Sequence, residues 1–296
     1  MAQESLALTR QPVVTVGTLS TARKTFIVAI SVLVGLLIAV LWSARLVDDG
    51  IGENVANGLL GYNAKSQAIG NGVAGAVFAF VAGLAGTFTA CNVAAFSAVG
   101  PMMGRGTTAG DRMRRALPQI GWLSVGLAVV ALVWGAAGAA IGPGIPQLNT
   151  HTIGNGMPIR VVQSAIVFTV IGVVFLWMGL AAINVVPDPL ARFTARWPQT
   201  PLLVMGGLIG AFLVGRPYPL FFKLFQYAAE RHNPLYGALT FLLTALGNIV
   251  VLALLFLAIS AAAGERYQAW LSSRPGRIAT ITAVALIIGG AFLVFY

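Results

Sequence analysis

Apolar residues along this chain form seven long runs, separated by short stretches in which polar and charged residues collect. A helix needs roughly 20 mostly apolar residues to cross the hydrocarbon core of a bilayer, which is about the length of the shorter runs. The second, fifth and sixth runs are longer, and excess length indicates tilt, a kink or a partly re-entrant segment. The pattern therefore predicts seven membrane-spanning helices, at 25–44, 71–103, 118–142, 161–184, 201–229, 235–263 and 278–296.

Two of these runs are interrupted at similar places. In each, a Gly-Leu-x-Gly segment leads into residues that do not continue an apolar helix: Gly83–Gly86 leads to Cys91 and Asn92, and Gly207–Gly210 leads to Arg216–Pro219. Proline lacks a backbone N–H and clashes with the preceding turn, so the second run must kink or unwind. Paired broken helices in the two halves of a membrane protein indicate a working site near the bilayer midplane. The residues that this pattern selects as helix breaks are Gly83, Gly86, Gly207, Gly210, Pro217 and Pro219.

The composition agrees with the hydropathy pattern. Of the 296 residues, 58% are hydrophobic and only 9% are charged, whereas a soluble domain has about 25% charged residues. The chain is therefore expected to be an all-α integral membrane protein.

Positive charge is distributed unevenly between the two alternating sets of termini and loops. Since Lys and Arg accumulate in cytoplasmic loops, the distribution predicts a cytoplasmic N-terminus and an extracytoplasmic C-terminus in an inner (plasma) membrane. The formal net charge of +10 is then a signal of orientation, and the alternative, a basic patch for nucleic acid or a protein partner, is disfavoured. One set contains Arg10, Arg23, Lys24, Arg105, Arg112, Arg114, Arg115, Arg192, Arg196, Arg266, Arg274 and Arg277, and the other contains Arg45, Lys65, Arg160 and Arg231.

The domain organisation follows from the order of the spans. We expect residues 1–22 to form a mobile cytoplasmic tail and residues 23–46 to form an extra anchor, because its apolar run is too long for the core of a signal peptide. The remaining six spans divide into three-helix sets at 71–184 and 201–296, joined by a proline-rich cytoplasmic linker at 185–200. Each set has an odd number of spans, so the halves enter the membrane from opposite sides and form an inverted repeat.

Three segments resemble the CcdA/DsbD-type transmembrane thiol–disulfide transporters, which include the cytochrome c biogenesis transmembrane region. Gly86–Ala94, with Cys91 near its centre, is similar to the family's first Phe-x-Pro-Cys-x-x-Pro segment. Val204–Gly210 through Arg216–Leu220 is similar to the second Pro-Cys segment. Tyr236–Leu239 and Ala245–Asn248 resemble the glycine-rich helix that follows it. The resemblance covers about residues 71–296.

The resemblance implies two inverted three-helix halves around a water-accessible cavity, with one cysteine from each half. In the family these cysteines carry reducing equivalents from cytoplasmic thioredoxin to thioredoxin-like proteins outside, for cytochrome c maturation and related assembly. This chain departs from that pattern, because Ala90 and Ala94 replace prolines and Tyr218 stands at the second cysteine. A mixed disulfide needs a resolving thiol, so a single cysteine per chain excludes the complete relay.

Three explanations remain for the lone cysteine. A partner supplies the second thiol, Cys91 serves as a docking point, or the fold has another use. Accessory proteins of the methylamine-utilisation type, which assist the maturation of a periplasmic dehydrogenase, resemble the second or third case. The expected partners are the lipid bilayer and a thioredoxin-like protein or a periplasmic client, with no nucleic acid and no cofactor.

Individual side chains leave alternatives open. Cys91 is the candidate redox thiol, but a buried cysteine is also a common inert residue. Arg216 and Lys223 are candidate binding residues because charge within a membrane is costly. For Lys223 the favoured alternative is a side chain that extends to the membrane edge. Tyr218 and Asn92 are further candidate binding residues; the alternatives are that Tyr218 fills space at the break and that Asn92 bonds to a neighbouring helix. A metal site that uses Cys91, Met102, Met103 and a histidine has no supporting ligand spacing.

The sequence gives no sign of a soluble enzyme, because the few carboxylates lie mostly in loops and tails. Two other functions compete with assisted maturation. One is a small-solute or ion transporter that uses the same inverted-repeat cavity with Arg216 in its binding site. The other is a structural subunit of a larger membrane complex, for which the extra helix 25–44 would be the docking element.

Overall fold

The structure is a computed structural model, and it describes residues 20–43, 50–88, 109–149, 151–153, 156–215, 219–262 and 276–295. These residues are almost entirely helical, with one antiparallel pair of two-residue strands at Thr152–Ile153 and Met157–Pro158. The helices are α1 (Thr21–Leu41), α2 (Glu53–Leu60), α3 (Gly72–Ala85), α4 (Ala109–Ile141), α5 (Ile159–Ala182), α6 (Ala191–Arg196), α7 (Thr200–Gly215), α8 (Pro219–Glu230), α9 (Pro234–Ala262) and α10 (Arg277–Phe295).

The lengths and composition of these helices are those of a multi-pass membrane protein. Within the described ranges, four stretches are long and apolar enough to cross a membrane: Thr21–Leu41, Ala116–Gly144, Ile159–Ala182 and Pro234–Leu255. The bent pair α7 and α8 gives a fifth if it is counted as one span, and Gly72–Ala85 and Ala279–Phe295 are shorter apolar helices. Helices suit a bilayer because they satisfy their own backbone hydrogen bonds where water is absent. The predicted all-α class is confirmed.

The two longest helices, α4 and α9, lie at the centre of the bundle and pack against each other. At their crossing, Gly135 and Gly237 face each other so closely that a methyl group on either would collide with the carbonyl oxygen of the other. Lipid tails are as apolar as the helices, so helix association in a membrane depends on close packing rather than on the hydrophobic effect. The glycines of this crossing allow that packing.

On one side, α9 packs against α3 through a reciprocal pair of glycine contacts. A methyl group on Gly83 of α3 would collide with the carbonyl oxygen of Thr244, and one on Gly247 of α9 would collide with the carbonyl oxygen of Phe80. Each helix therefore offers a glycine to the backbone of the other.

On the other side, α4 packs against α7 in the same way. A methyl group on Gly206 of α7 would collide with the carbonyl oxygen of Leu123, and one on Gly126 of α4 would collide with the carbonyl oxygen of Leu203. In both contacts, each helix presents one glycine and one backbone carbonyl to its partner. The glycine comes three residues after the carbonyl, which is close to one helical turn.

A third pair of helices, α5 and α10, is joined by Gly172 and Gly290. A methyl group on Gly172 would lie 2.8 Å from the carbonyl oxygen of Gly290, and one on Gly290 would lie 2.7 Å from that of Gly172. The anchor α1 packs on the outer side of α10, with the rings of Trp42 and Phe292 in an edge-to-face contact at 5.6 Å between centroids.

The helix that follows the second break, α8, is held in the core rather than in lipid. Its buried side chains include Leu220, Leu224 and Phe225. The ring of Phe225 stacks on Trp134 with 5.8 Å between centroids and meets Phe241 edge to face at 5.2 Å. Gly138 of α4 lies beneath the Phe225 ring and leaves the space that the ring fills.

Candidate functional site at the helix breaks

Several predicted site residues lie outside the described residues, namely Cys91, Asn92, Arg216, Pro217 and Tyr218, together with Met102 and Met103. The described residues that lead into and out of the breaks define the geometry around them. Of the predicted breaks, the structure describes Gly83, Gly86, Gly207, Gly210 and Pro219, and it also describes Lys223.

At the first break, α3 ends at Ala85 and tightens into a turn of 3₁₀-helix over Gly86–Phe88. Such turns are common at helix ends, where the last carbonyls lose their helical partners. The hydroxyl of Thr87, which is 2% exposed, donates to the carbonyl of Gly83 at 3.1 Å. One carbonyl at this end of the helix is thus bound from within its own chain segment.

At the second break, α7 ends at Gly215 and α8 begins at Pro219, with an angle of 80° between the two helices. The 16 residues of α7 extend about 24 Å at 1.5 Å per residue, which is less than the roughly 30 Å of hydrocarbon in a bilayer. The polypeptide therefore changes direction before α7 alone completes a crossing.

The glycines before this break do not all have the same role. A methyl group on Gly210 would lie 2.9 Å from the Cβ atom of Val130 and 3.0 Å from the carbonyl oxygen of Leu127, whereas one on Gly207 would meet only Val130, at 3.9 Å. The close contact with α4 belongs to the neighbouring Gly206. The sequence motif had selected Gly207, one position away from the glycine that the packing requires.

Two glutamine side chains bind the carbonyl groups at the end of α7. Gln163, in the first turn of α5, donates from Nε2 to the carbonyl of Val214 at 2.9 Å. Gln147, in a 3₁₀ turn after α4, donates from Nε2 to the carbonyl of Leu213 at 3.4 Å. The indole Nε1 of Trp134 donates to Oε1 of Gln147 at 3.0 Å and fixes the orientation of its amide. Sequence reasoning missed both glutamines; the only signal would have been an amide side chain at the edge of an apolar run.

Lys223 lies near the start of α8 and binds the loop that follows α2. Its Nζ donates to the carbonyls of Ala64 at 2.7 Å, Lys65 at 3.2 Å and Gln67, and it lies 5.6 Å from the centre of the Phe78 ring. An ammonium group has three donors, so these three carbonyls use all of them. Lys223 therefore ties α8 to this loop, and Arg216 is left as the candidate binding cation.

The loop that Lys223 binds is itself ordered by side-chain hydrogen bonds. Asn57 of α2 accepts from the backbone N–H of Ala64 at 2.7 Å, and Asn63 accepts from that of Ser66 at 2.9 Å. Glu53 pairs with Lys65 at 2.7 Å. These contacts turn the three carbonyls toward one point, where the ammonium group of Lys223 lies.

A second cation, Arg231, closes the same side of the bundle beyond the end of α8. Its guanidinium lies 4.6 Å from the ring centre of Tyr227 and 4.9 Å from that of Tyr236. The hydroxyl of Tyr236 donates to the carbonyl of Gly72 at 3.2 Å. These contacts fix the end of α8 and the start of α9 to the start of α3.

Among the described residues, no group of three or more His, Cys, Asp or Glu side chains could hold a metal ion. Comparison of the chain with protein-family models, with curated proteins and with solved structures found no match. The assignment of function therefore depends on the residues and contacts of the chain itself.

Proposed function

We propose that this chain is a CcdA-like inner-membrane protein that assists the maturation of cytochrome c or another extracytoplasmic protein, by thiol-redox or accessory action and without a complete two-cysteine relay. Its proposed architecture is the anchor α1 followed by two inverted three-helix halves, with seven spans in total. The first half contains α3 with its continuation, α4 and α5, and the second contains the α7–α8 pair, α9 and α10.

The observation that carries this proposal is the match between the α3–α9 contact and the α4–α7 contact. A twofold axis in the membrane plane would exchange α3 with α7 and α4 with α9. It would then carry Gly83 onto Gly206 and Gly126 onto Gly247. Each of these four glycines lies against a backbone carbonyl of the helix that its own helix packs on. The same exchange carries Phe80 onto Leu203, the two residues whose carbonyls are contacted. Each lies three residues before the glycine of its own helix, Gly83 or Gly206.

The third helix of each half agrees with the same axis. An exchange of α5 with α10 would carry the contact between these helices onto itself, and Gly172 and Gly290 indeed face each other reciprocally. Three helix pairs thus support one symmetry. Such symmetry is common to several transporter and redox folds, so the choice among them depends on Cys91 and on the resemblance of the segments around it.

The chemistry that we propose for Cys91 is one half of a thiol–disulfide exchange. Its thiolate attacks a disulfide of a thioredoxin-like partner, a new S–S bond forms, and one thiolate of the partner leaves with the electron pair. Release requires a second thiol that attacks the mixed disulfide and reduces the Cys91 sulfur again. Since the chain has a single cysteine, the partner supplies that thiol, and the membrane protein acts as a docking point between turnovers.

The experiment that tests this function is the capture of the mixed disulfide. Membranes that contain the wild-type chain are incubated with a thioredoxin-fold protein whose resolving cysteine is replaced by serine and whose remaining cysteine is present as its mixed disulfide with thionitrobenzoate. The Cys91 thiolate attacks the partner's sulfur, thionitrobenzoate leaves with the electron pair, and adducts are separated without reductant. We expect an adduct that reductant releases and that Cys91→Ser abolishes. No adduct from the wild-type chain, together with solute uptake that persists in Cys91→Ser liposomes, would contradict the proposal and favour a transporter.

A further inference from the structure

The end of α7 presents backbone carbonyls that its own helix cannot satisfy. In an α-helix the carbonyl of residue i accepts from the N–H of residue i+4. For Leu213 that position is Pro217, which has no N–H, and α7 ends at Gly215. In a membrane protein a buried carbonyl without a partner is costly, since no lipid group can replace the lost bond. The break therefore requires donors from elsewhere.

Those donors come from two separate elements of the first half. Gln147 follows α4, is 6% exposed and is fixed by Trp134, while Gln163 belongs to α5. Their amides reach Leu213 and Val214, the two residues before the final glycine of α7. The carbonyl of Leu213 thus receives from Gln147 the hydrogen bond that Pro217 cannot make, and the carbonyl of Val214 receives a second bond from Gln163.

At the end of α3, the carbonyl of Gly83 accepts from the hydroxyl of Thr87, which belongs to the same segment. At the end of α7, two carbonyls accept from side chains that lie far away along the chain. Fixed side chains on the supporting elements determine how precisely a site is held.

We infer that Gln147 and Gln163 are positioning residues for the second break: they hold the end of α7 and thereby set its angle to α8. This inference deepens the proposed function and rests on it, because it assumes that the break is the working site. Neither glutamine takes part in the chemistry. Their effect passes through the backbone of Leu213 and Val214 to the segment between the two helices.

The test measures the angle itself. Spin labels are placed on cysteines introduced at Thr200 and Glu230, the outer ends of α7 and α8, in a Cys91→Ser chain, and the distance distribution is recorded by pulsed electron paramagnetic resonance in lipid nanodiscs. We expect a single narrow distance in the parent. Replacement of both glutamines by methionine, which has a similar size and no donor, should broaden the distribution or shift its maximum.

The matched control is Gln119→Met, a half-buried glutamine of α4 that makes no hydrogen bond to α7 in the described part of the structure. It should leave the distance unchanged. If the double variant does not fold, the single variants Gln147→Met and Gln163→Met replace it, and each should broaden the distribution by less. A folded variant whose distribution equals that of the parent overturns the inference.

This measurement is independent of any thiol partner. Altered distances together with a failed mixed-disulfide capture would reject the proposed function and keep the positioning role. Unchanged distances together with a successful capture would reject the positioning role and keep the proposed function.

Discussion

The backbone of Gly206 in α7 lies directly against the carbonyl oxygen of Leu123 in α4, so closely that even a methyl group cannot fit between the two helices. The neighbouring Gly207 has no contact of this kind. Adjacent residues of a helix point about 100° apart, since a turn contains 3.6 residues. A methyl group on Gly206 would therefore point directly at the α4 backbone, whereas one on Gly207 would meet only the Val130 side chain, at 3.9 Å.

This difference gives a matched pair of substitutions. Gly206→Ala should lower the stability by about 1–3 kcal/mol, since an atom inserted into a tight contact forces the helices apart. Gly207→Ala has room for its methyl group, and alanine favours a helix over glycine, so its stability should equal or exceed that of the parent. The midpoint of thermal unfolding in detergent measures both. Equal midpoints for the two variants would show that the α4–α7 contact is not as close as described.

The partner helix provides a second matched pair. Gly126→Ala in α4 should be destabilising because its methyl group would meet the carbonyl of Leu203, while Gly121→Ala in the same helix meets nothing within 4 Å. We expect a drop in the unfolding midpoint for Gly126→Ala alone. The corresponding variant on the other side, Gly247→Ala, should show a drop of similar size if the two contacts are equivalent, and a much smaller drop would count against the proposed symmetry.

Removal of the Lys223 ammonium should loosen the loop after α2. Lys223→Met leaves the carbonyls of Ala64, Lys65 and Gln67 without their donor. Because these contacts are part-buried or exposed, water can replace some of the lost bonds, and the expected loss of stability is about 1 kcal/mol. The variant should unfold at a lower temperature, and limited proteolysis should cut within residues 61–70 sooner than in the parent.

The control for this prediction is Lys24→Met, which removes an exposed ammonium group that donates to the carbonyl of Asn184 and does not touch the loop after α2. Its proteolysis within residues 61–70 should resemble that of the parent. If Lys24→Met and Lys223→Met accelerate cleavage equally, the carbonyl contacts of Lys223 have no special role.

The hydropathy pattern predicted the all-helical class because the bilayer imposes a simple demand on helix length, while its count of seven spans stays a prediction. The predicted runs 161–184 and 235–263 lie within a few residues of α5 and α9. The short helix α2 was missed, since eight residues with one buried side chain, Ala56, leave little pattern. The fifth run contains the 80° bend between α7 and α8, and α8 begins at Pro219, while Pro217 lies outside the described residues. The size of the angle could not be read from the prolines alone.

The contacts that shape the candidate site could not be predicted from the sequence in the same way. The Gly-Leu-x-Gly motif selected Gly207, whereas the tertiary contact uses Gly206, because the facing direction depends on the partner helix. Gln147 and Gln163 bind carbonyls at the end of α7, which follows them in the chain by about 50 residues or more. Nothing next to either glutamine in the sequence indicates these partners. Lys223 was interpreted as a side chain at the membrane edge, and its carbonyl partners come from a loop about 160 residues earlier in the chain.

The proposed inverted arrangement of the halves requires that the α7–α8 pair crosses the membrane rather than entering and leaving on one side. Single cysteines at Pro198, Glu230 and Ser66 in a Cys91→Ser chain, labelled in intact cells with a membrane-impermeant maleimide, test this directly. The account predicts that Glu230 and Ser66 label from outside, because Lys223 ties α8 to the loop that contains Ser66, and that Pro198 labels only after the membrane is opened. Labelling of Pro198 and Glu230 from the same side would make the pair re-entrant and contradict the inverted repeat.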